Sequence, residues 1–440
     1  MASDILHIKD GYFFEVPRVL WRSHREKPSD FPQWFVRLDS DFQSVEADAV
    51  ITGLTEMGIA PTRVATLKED WQHWQHADHK NAGWPLSAYL ESQSAEVKAL
   101  AQKWKTENAP KAKDPYQAYI ASNPPPQYDW FVQLQKSPEK LARWDELKTK
   151  IKSDEFYRSY LSEGPKWDEA KIAQYNSKLH GKILIPQPFG TLRNAYEKDS
   201  GLCISRYMII ELLVAILVIA MFSWLAKRIN SGSAPKGKGW NLLEGMVQWV
   251  RSDVAVPAMG EHDADKFMPF IYTMFFFILG CNLMGMIPWV GAPTAAFGTT
   301  IALALIVFAI GLTLGIRTFG FIGFLKNICP ELGLPWYLAF WIVPLLWGIE
   351  AMSLIIKHIV LSVRLLMNIG AGHLVLLGIL GIGFSVSAAQ MSDVAWGGAA
   401  MISLLGTTAI SVLELFVACL QAYLFTFLAA MFIGSSMHHH

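Results

Sequence analysis

Residues 350–374 read EAMSLIIKHIVLSVRLLMNIGAGHL. Glu350, Lys357 and Arg364 stand seven residues apart. On a helix each falls about 20° short of the one before, so all three share one face, with Ser353 beside them. The stretch lies inside an apolar run of about 336–390, and from Phe267 to His440 only eight residues are charged. An arginine near the centre of a bilayer costs roughly 2.5–3.5 kcal/mol on insertion scales, so a charge kept there is a functional candidate. The bland alternative is an ion pair of Arg364 with Glu350 or Glu414 that holds two helices together. Lys357 and His358 are expected near an interface, snorkelling outward. A lone His373 is as readily a packing residue as a proton carrier. On the second long apolar run, about 397–433, Glu414 and Gln421 are also seven apart.

The 440 residues would make about three ordinary domains. Thirty-eight basic residues balance 38 acidic ones, which argues against a nucleic-acid binder. The average hides a split. From Ile204 onward 21 residues in 237, about 9%, are charged; before it 55 in 203, about 27%, are. The first part has the composition of soluble protein. The second is too poor in charge for that. A water-exposed domain over 1–203 and a membrane domain over 204–440 follow, which excludes a purely cytosolic enzyme and a disordered chain.

The start has no apolar stretch after a basic one, so no cleavable signal peptide is expected. The cysteines Cys203, Cys281, Cys329 and Cys419 form no C-x-x-C pair and read as small core hydrophobes. No cofactor is expected. The terminal His438, His439 and His440 read as a tail rather than a metal site.

The first span is expected at Ile204–Ala226, long enough for a ~30 Å hydrocarbon core. A polar loop with Lys227, Arg228, Lys236 and Lys238 follows. Leu243, Met246, Val247 and Val250 then recur at helical spacing, as on an amphipathic surface helix. Further spans are expected at about 267–290 and 295–316. The loop after the first span carries six Lys/Arg through Lys266, whereas the loop at 289–296 carries none. The positive-inside rule then puts the first loop in the cytoplasm and the N-terminal domain outside, in the periplasm of a cell inner membrane. A 37-residue helix over 397–433 measures about 55 Å, nearly twice the hydrocarbon thickness. The run 336–390 is longer still: two spans split at the charges, or one long tilted helix bent at Gly370 or Gly372.

Before residue 203 the pattern is helical in pieces. Asp41 is expected to cap a helix running to Met57, with Gly58 and Pro61 after it. Ser137-Pro138 is expected to open another, to about Ser153. The Asn123–Pro126 run separates two blocks. Nine of the 17 tryptophans fall here, enough for a small core. His73, His76 and His79 at i, i+3, i+6 spread over about 120° of a helix. A solvated face is the plain reading of them and a metal site the alternative.

Glu350–Lys357 followed by Ser362-Val363-Arg364-Leu365-Leu366-Met367-Asn368 resembles the arginine motif of subunit a of F-type ATP synthase. Ala371-Gly372-His373-Leu374 keeps the register. Glu414-x6-Gln421-Ala422-Tyr423-Leu424-Phe425-Thr426 is similar to the family's last helix, and Cys281–Pro288 to the end of its second span. Leu6-His7-Ile8-Lys9-Asp10 is similar to its opening. The resemblance covers about 204–433. His358 stands where many members have proline, and Met367 where glycine is common. His373 and Glu414 are arranged as in mitochondrial-type members; many bacterial members have the acid first. The block at roughly 30–180 has no counterpart.

The resemblance implies an all-α polytopic membrane protein with about five crossings, the last two helices long and strongly tilted, after a mostly helical soluble domain. It implies a non-catalytic stator subunit that meets a ring of c subunits and the peripheral-stalk subunit b within the ATP synthase complex and the lipid bilayer. Arg364 would be the fixed charge between two aqueous half-channels. Asn368, His373, Glu414 and Gln421 would line the outer one, and Glu350, Ser353 and Lys357 the cytoplasmic one. The competing readings are an ion-coupled secondary transporter, which calls for repeated halves that the sequence lacks, and an exported enzyme anchored by the spans.

Overall fold

The computed structural model describes residues 10–59, 61–78, 81–108, 134, 137–230, 237–287, 290–327, 336–384 and 393–437. His79, the segments 6–9 and 123–126, Lys236, Pro288, Cys329, Glu331 and the terminal histidines lie outside them. At His373 the backbone is described and the side chain is not. The chain divides into two units. One comprises Pro17–Lys182 with Phe189–Leu202; the other comprises Met1–Val16, Ile183–Pro188 and Cys203–His440.

The first unit is built from α1 (Ser40–Glu56), α2 (Pro61–Ala77), α3 (Leu86–Asn108), α4 (Pro138–Lys152), α5 (Asp154–Glu163) and α6 (Glu169–Leu179). The cap of α1 is Asp39, not Asp41. The Asp39 carboxylate accepts from the backbone N–H of Asp41 at 3.0 Å and of Phe42 at 3.4 Å. Both aspartates suit a helix start, and the one that reaches back over the first turn takes the role. Asp39 is also buried, held by Lys171 Nζ at 2.8 Å and by the Tyr175 hydroxyl. Gly58 follows α1 at φ +73°, a conformation open to glycine. Ser137-Pro138 opens α4 as expected. Ser153 then ends α4 and caps α5, accepting from Phe156 N–H at 3.2 Å.

Two apolar clusters hold these helices. Val50, Leu54, Leu86, Leu90, Trp144 and Ile151 form one. Phe31, Val36, Phe42, Tyr160, Trp167 and Leu179 form the other. Each fully buried large side chain contributes roughly 1.5–3 kcal/mol. Strands β1 (Gly190–Asn194) and β2 (Glu197–Gly201) pair antiparallel. His73 and His76 lie exposed on α2.

Among the described residues the second unit contains five helices long and apolar enough to cross a membrane. They belong to α7 (Arg206–Asn230), α9 (Glu261–Gly285), α10 (Phe297–Asn327), α11 (Trp336–Phe384) and α12 (Asp393–Met437), and α8 (Lys238–Trp249) lies between the first two. Helix α11 has 49 residues and α12 has 45, about 70 Å each at 1.5 Å per residue. Over the described residues Trp336–Phe384 a single helix therefore replaces the two-span alternative. Its helical bonding continues through Gly370 and Gly372. The break instead falls in α10, at Gly320 with φ 72°. Met246 and Val247 of α8 and buried Val250 pack on a core that includes Ile271, Leu361 and Phe425. Cys203 and Cys281 are buried, as expected of core residues, but Cys419 is exposed.

Glu46 on α1 is buried, and Ser87 Oγ donates to it at 3.4 Å. Burial pushes its carboxyl from 4.5 up to about 7, against the pull of Arg37. A folded acid whose pKa is raised binds more protons than the unfolded one, so stability falls as pH rises through that window. Thermal unfolding followed by tryptophan fluorescence should show this unit less stable at pH 8 than near pH 5, by up to about 3 kcal/mol. Glu46→Gln should remove most of that slope; an unchanged slope would assign it elsewhere.

Candidate functional site in the membrane unit

Helices α11 and α12 pack along much of their length. Between them they carry Glu350, Lys357, Arg364, Asn368, Glu414 and Gln421. Leu361, Leu365 and Ile369 are buried, so this face of α11 turns inward. Arg364 is on another face and is exposed. Among the described residues no carboxylate lies within ion-pair distance of it. The alternative pairing of Arg364 with Glu350 or Glu414 is thus absent there. Glu350 instead meets Lys357, Nζ to Oε1 3.7 Å, both half exposed. That contact joins two members of the seven-residue stripe one helical step apart. Ser353 is half-buried nearby.

Further along, α11 and α12 enclose a cleft of ≈ 180 Å³ lined by Asn368, Gly372, Val375, Ile410, Leu413 and Glu414, among others. Glu414 is only 8% exposed. Its carboxyl is close enough to Gly372 that a Cβ there would stand 2.9 Å from Oε1. The glycine is what lets the carboxyl approach the helix backbone. The side-chain nitrogen of Asn368 is buried without a partner among the described residues. Gln421 is buried on α12 two turns beyond Glu414. The structure thus gathers Asn368 and Glu414 at one cleft and Glu350 and Lys357 at one ion pair. Arg364 belongs to neither.

His358 departs from expectation. It does not snorkel: it is 8% exposed, with its ring centroid 5.1 Å from that of Phe308 and 4.6 Å from that of Phe432. Apolar residues on α10 and α12 cover it, so no route to the interface remains for so short a side chain.

Several polar contacts went unread in the sequence. Ser362, two residues before Arg364, donates to Thr300 Oγ1 at 3.1 Å, tying α11 to α10. Asn282 Nδ2 donates to the carbonyl of Ala418 at 3.0 Å, and Thr294 Oγ1 donates to Asn282 Oδ1 at 2.8 Å. Thr299 Oγ1 donates to Glu211 of α7 at 2.7 Å. Single threonines and asparagines in apolar runs carry little signal. The carboxyl of Glu211 inside the first span was the one visible cue.

The chain matches the family model "ATP synthase A chain" over residues 208–434, just over half its length. It is 37% identical to ATP synthase subunit a of Myxococcus xanthus (strain DK1622) over 243 residues, 54% of this chain and 75% of that protein. It is 34% identical to ATP synthase subunit a of Chloroherpeton thalassium (strain ATCC 35110 / GB-78) over 281 residues, 62% of this chain and 78% of that one. To ATP synthase subunit a of Anaeromyxobacter dehalogenans (strain 2CP-1 / ATCC BAA-258) it is 41% identical over 207 residues, 47% of this chain and 50% of that one. With the matched segment covering the helices that carry the Arg364 stripe and the Glu414 cleft, the chain belongs to the ATP synthase subunit a family.

Proposed function

We propose that the chain is the proton-translocating stator subunit of an F-type ATP synthase, with two offset half-channels separated by Arg364. The observation that carries this reading is the exposed arginine on α11, which has no carboxylate partner among the described residues. A guanidinium left without an internal counterion in an apolar helix is suited to meet an acid from outside. A ring of c subunits passing across this face supplies such acids one after another. At about 4 Å and an effective dielectric near 20 the attraction is roughly 4 kcal/mol, enough to lower a carboxyl pKa by about three units. The acid then loses its proton as it arrives. Arginine itself remains charged and relays nothing.

On this reading the Glu414 cleft, with Asn368, His373 and Gln421, belongs to the outer half-channel. Glu350, Ser353 and Lys357 belong to the cytoplasmic one. Proton exchange needs groups that water can reach; Asn368 and Glu414 line the cleft between α11 and α12, and Glu350 and Lys357 are half exposed. The subunit performs no bond chemistry; catalysis resides elsewhere in the complex, which subunit b links to this membrane sector. Five crossings would put the segments that precede α7 and follow α12 on opposite sides of the membrane. The basic loop after α7 supports a topology with the N-terminal domain, 1–203 with its 30–180 insertion, on the outer side of the inner membrane and the end of α12 in the cytoplasm.

Arg364→Ala should reduce respiration-driven ATP synthesis in inverted vesicles to the uncoupled background. Arg364→Lys should fail as well, because a desolvated lysine releases its proton. Normal synthesis by either variant would sink the stator assignment.

For the outer path, His373→Gln and Glu414→Gln should each slow pumping, and the double variant should be no worse than the poorer single. Simple additivity in that cycle would place the two side chains in separate steps. Gly372→Ala puts a methyl where the Glu414 carboxyl lies. It should cut proton flux without changing the amount of assembled complex; unaltered flux would show that the close approach is dispensable.

A further inference from the structure

His358 faces a small cavity of ≈ 40 Å³ between α10, α11 and α12. Its Nδ1 lies 2.8 Å from the carbonyl oxygen of Leu354. A carbonyl only accepts, so Nδ1 carries the proton, and the neutral ring presents a lone pair at Nε2. That Nε2 is buried and has no partner among the described residues. The other polar groups of the cavity are the hydroxyls of Ser435 and Ser436. Both donate to the carbonyl of Phe432, at 3.1 and 2.7 Å. Their hydrogens are engaged, so they turn only acceptor lone pairs to the cavity. Three acceptors and no donor therefore line it.

Such a cage fits an occupant that only needs to donate. The volume decides its size. One water needs about 10–15 Å³ of such space and fills about 30 Å³ in the liquid, so ≈ 40 Å³ takes one water and little else. Water supplies two donors, and its protonated form three. Ser435 is exposed, one turn from the end of α12, so the cavity lies beside an outlet. Among the described residues the only charged neighbour of His358 on its own helix is Lys357. From α10 the cavity is faced by Phe308, Gly311 and Leu312, and from α12 by Phe432 and the two serines, none of which titrates.

We propose that this cavity binds one water and makes His358 a proton-exchanging station on the cytoplasmic side, six residues (about 9 Å) before Arg364 along α11. A protonated water gives its proton to Nε2 and remains as neutral water. The imidazolium returns that proton to water by the reverse step. The station lies about 100° around α11 from Lys357, apart from the Glu350–Lys357 face. It rests on the stator reading above, which puts the end of α12 in the cytoplasm.

The test is ATP-driven proton pumping by the intact ATP synthase in inverted vesicles, where the medium stands for the cytoplasm. Protons become scarce there as pH rises. His358→Gln keeps a polar side chain without titration. It should match the parent at about pH 6 and pump several-fold more slowly at about pH 8. A profile that superimposes on the parent, or a loss equal at every pH, overturns the proposal. If His358→Gln does not assemble, the double variant Ser435→Ala/Ser436→Ala decides. Loss confined to alkaline pH supports the station, and a parental profile overturns it. Arg364→Ala, run alongside, separates the two ideas. Pumping by that variant defeats the stator reading itself. Its failure to pump, beside an unchanged His358→Gln profile, defeats only the station.

Discussion

An uncompensated positive charge on a helix made for hydrocarbon constrains everything around it. Arg364 is not neutralised by a described carboxylate, so its helix must be held in one rotation by other contacts. Leu361, Leu365 and Ile369 supply the apolar part of that hold. They sit roughly 60–140° around the helix from Arg364 and bury against the rest of the unit. The Ser362–Thr300 hydrogen bond, 3.1 Å long and inaccessible to water, adds direction to it. Apolar packing alone tolerates rotation, whereas a buried hydroxyl pair loses its bond if either helix turns. Together these contacts keep the guanidinium facing outward.

The same economy appears at the other end of the seam. Asn282 is completely buried and bridges Thr294 to the backbone of α12 at Ala418. Three chain segments meet there through one amide. A buried amide that makes its bonds stabilises modestly, and one that loses them is heavily penalised. The network therefore acts as a register pin between α9 and α12. It sets the height at which Glu414 and Gln421 are presented, about one turn to either side of Ala418.

Much of this was legible, and the reason is sparseness. With charges at about 9% of residues after Ile204, each one stands out, and the seven-residue spacing of Glu350, Lys357 and Arg364 names their common face without any structure. The excess length of the last two helices was equally plain, because a bilayer sets a fixed scale. What escaped depends on partners far apart in the chain. Thr300 and Ser362 are 62 residues apart, and Asn282 and Ala418 are 136 apart. Neither residue type is unusual in a membrane helix, so no local pattern marks them. Asp39 and Asp41 show a subtler limit. Both residue types suit a cap, and the half-buried Lys171 and Tyr175 that favour Asp39 lie more than a hundred residues away.

His358 was misjudged for an instructive reason. Beside Lys357 it looked like half of an interfacial pair, yet one residue on a helix is a rotation of about 100°. That rotation takes the side chain from the exposed stripe into the three-helix junction. The Leu354 carbonyl then fixes its tautomer and leaves a lone pair facing the cavity. Proline, the residue that the resemblance to subunit a would put here, carries no such group and offers no proton site. A histidine here is larger and brings a titratable ring into the junction. The change is coherent only with hydroxyls opposite that can hold a water, and Ser435 and Ser436 are placed to do so.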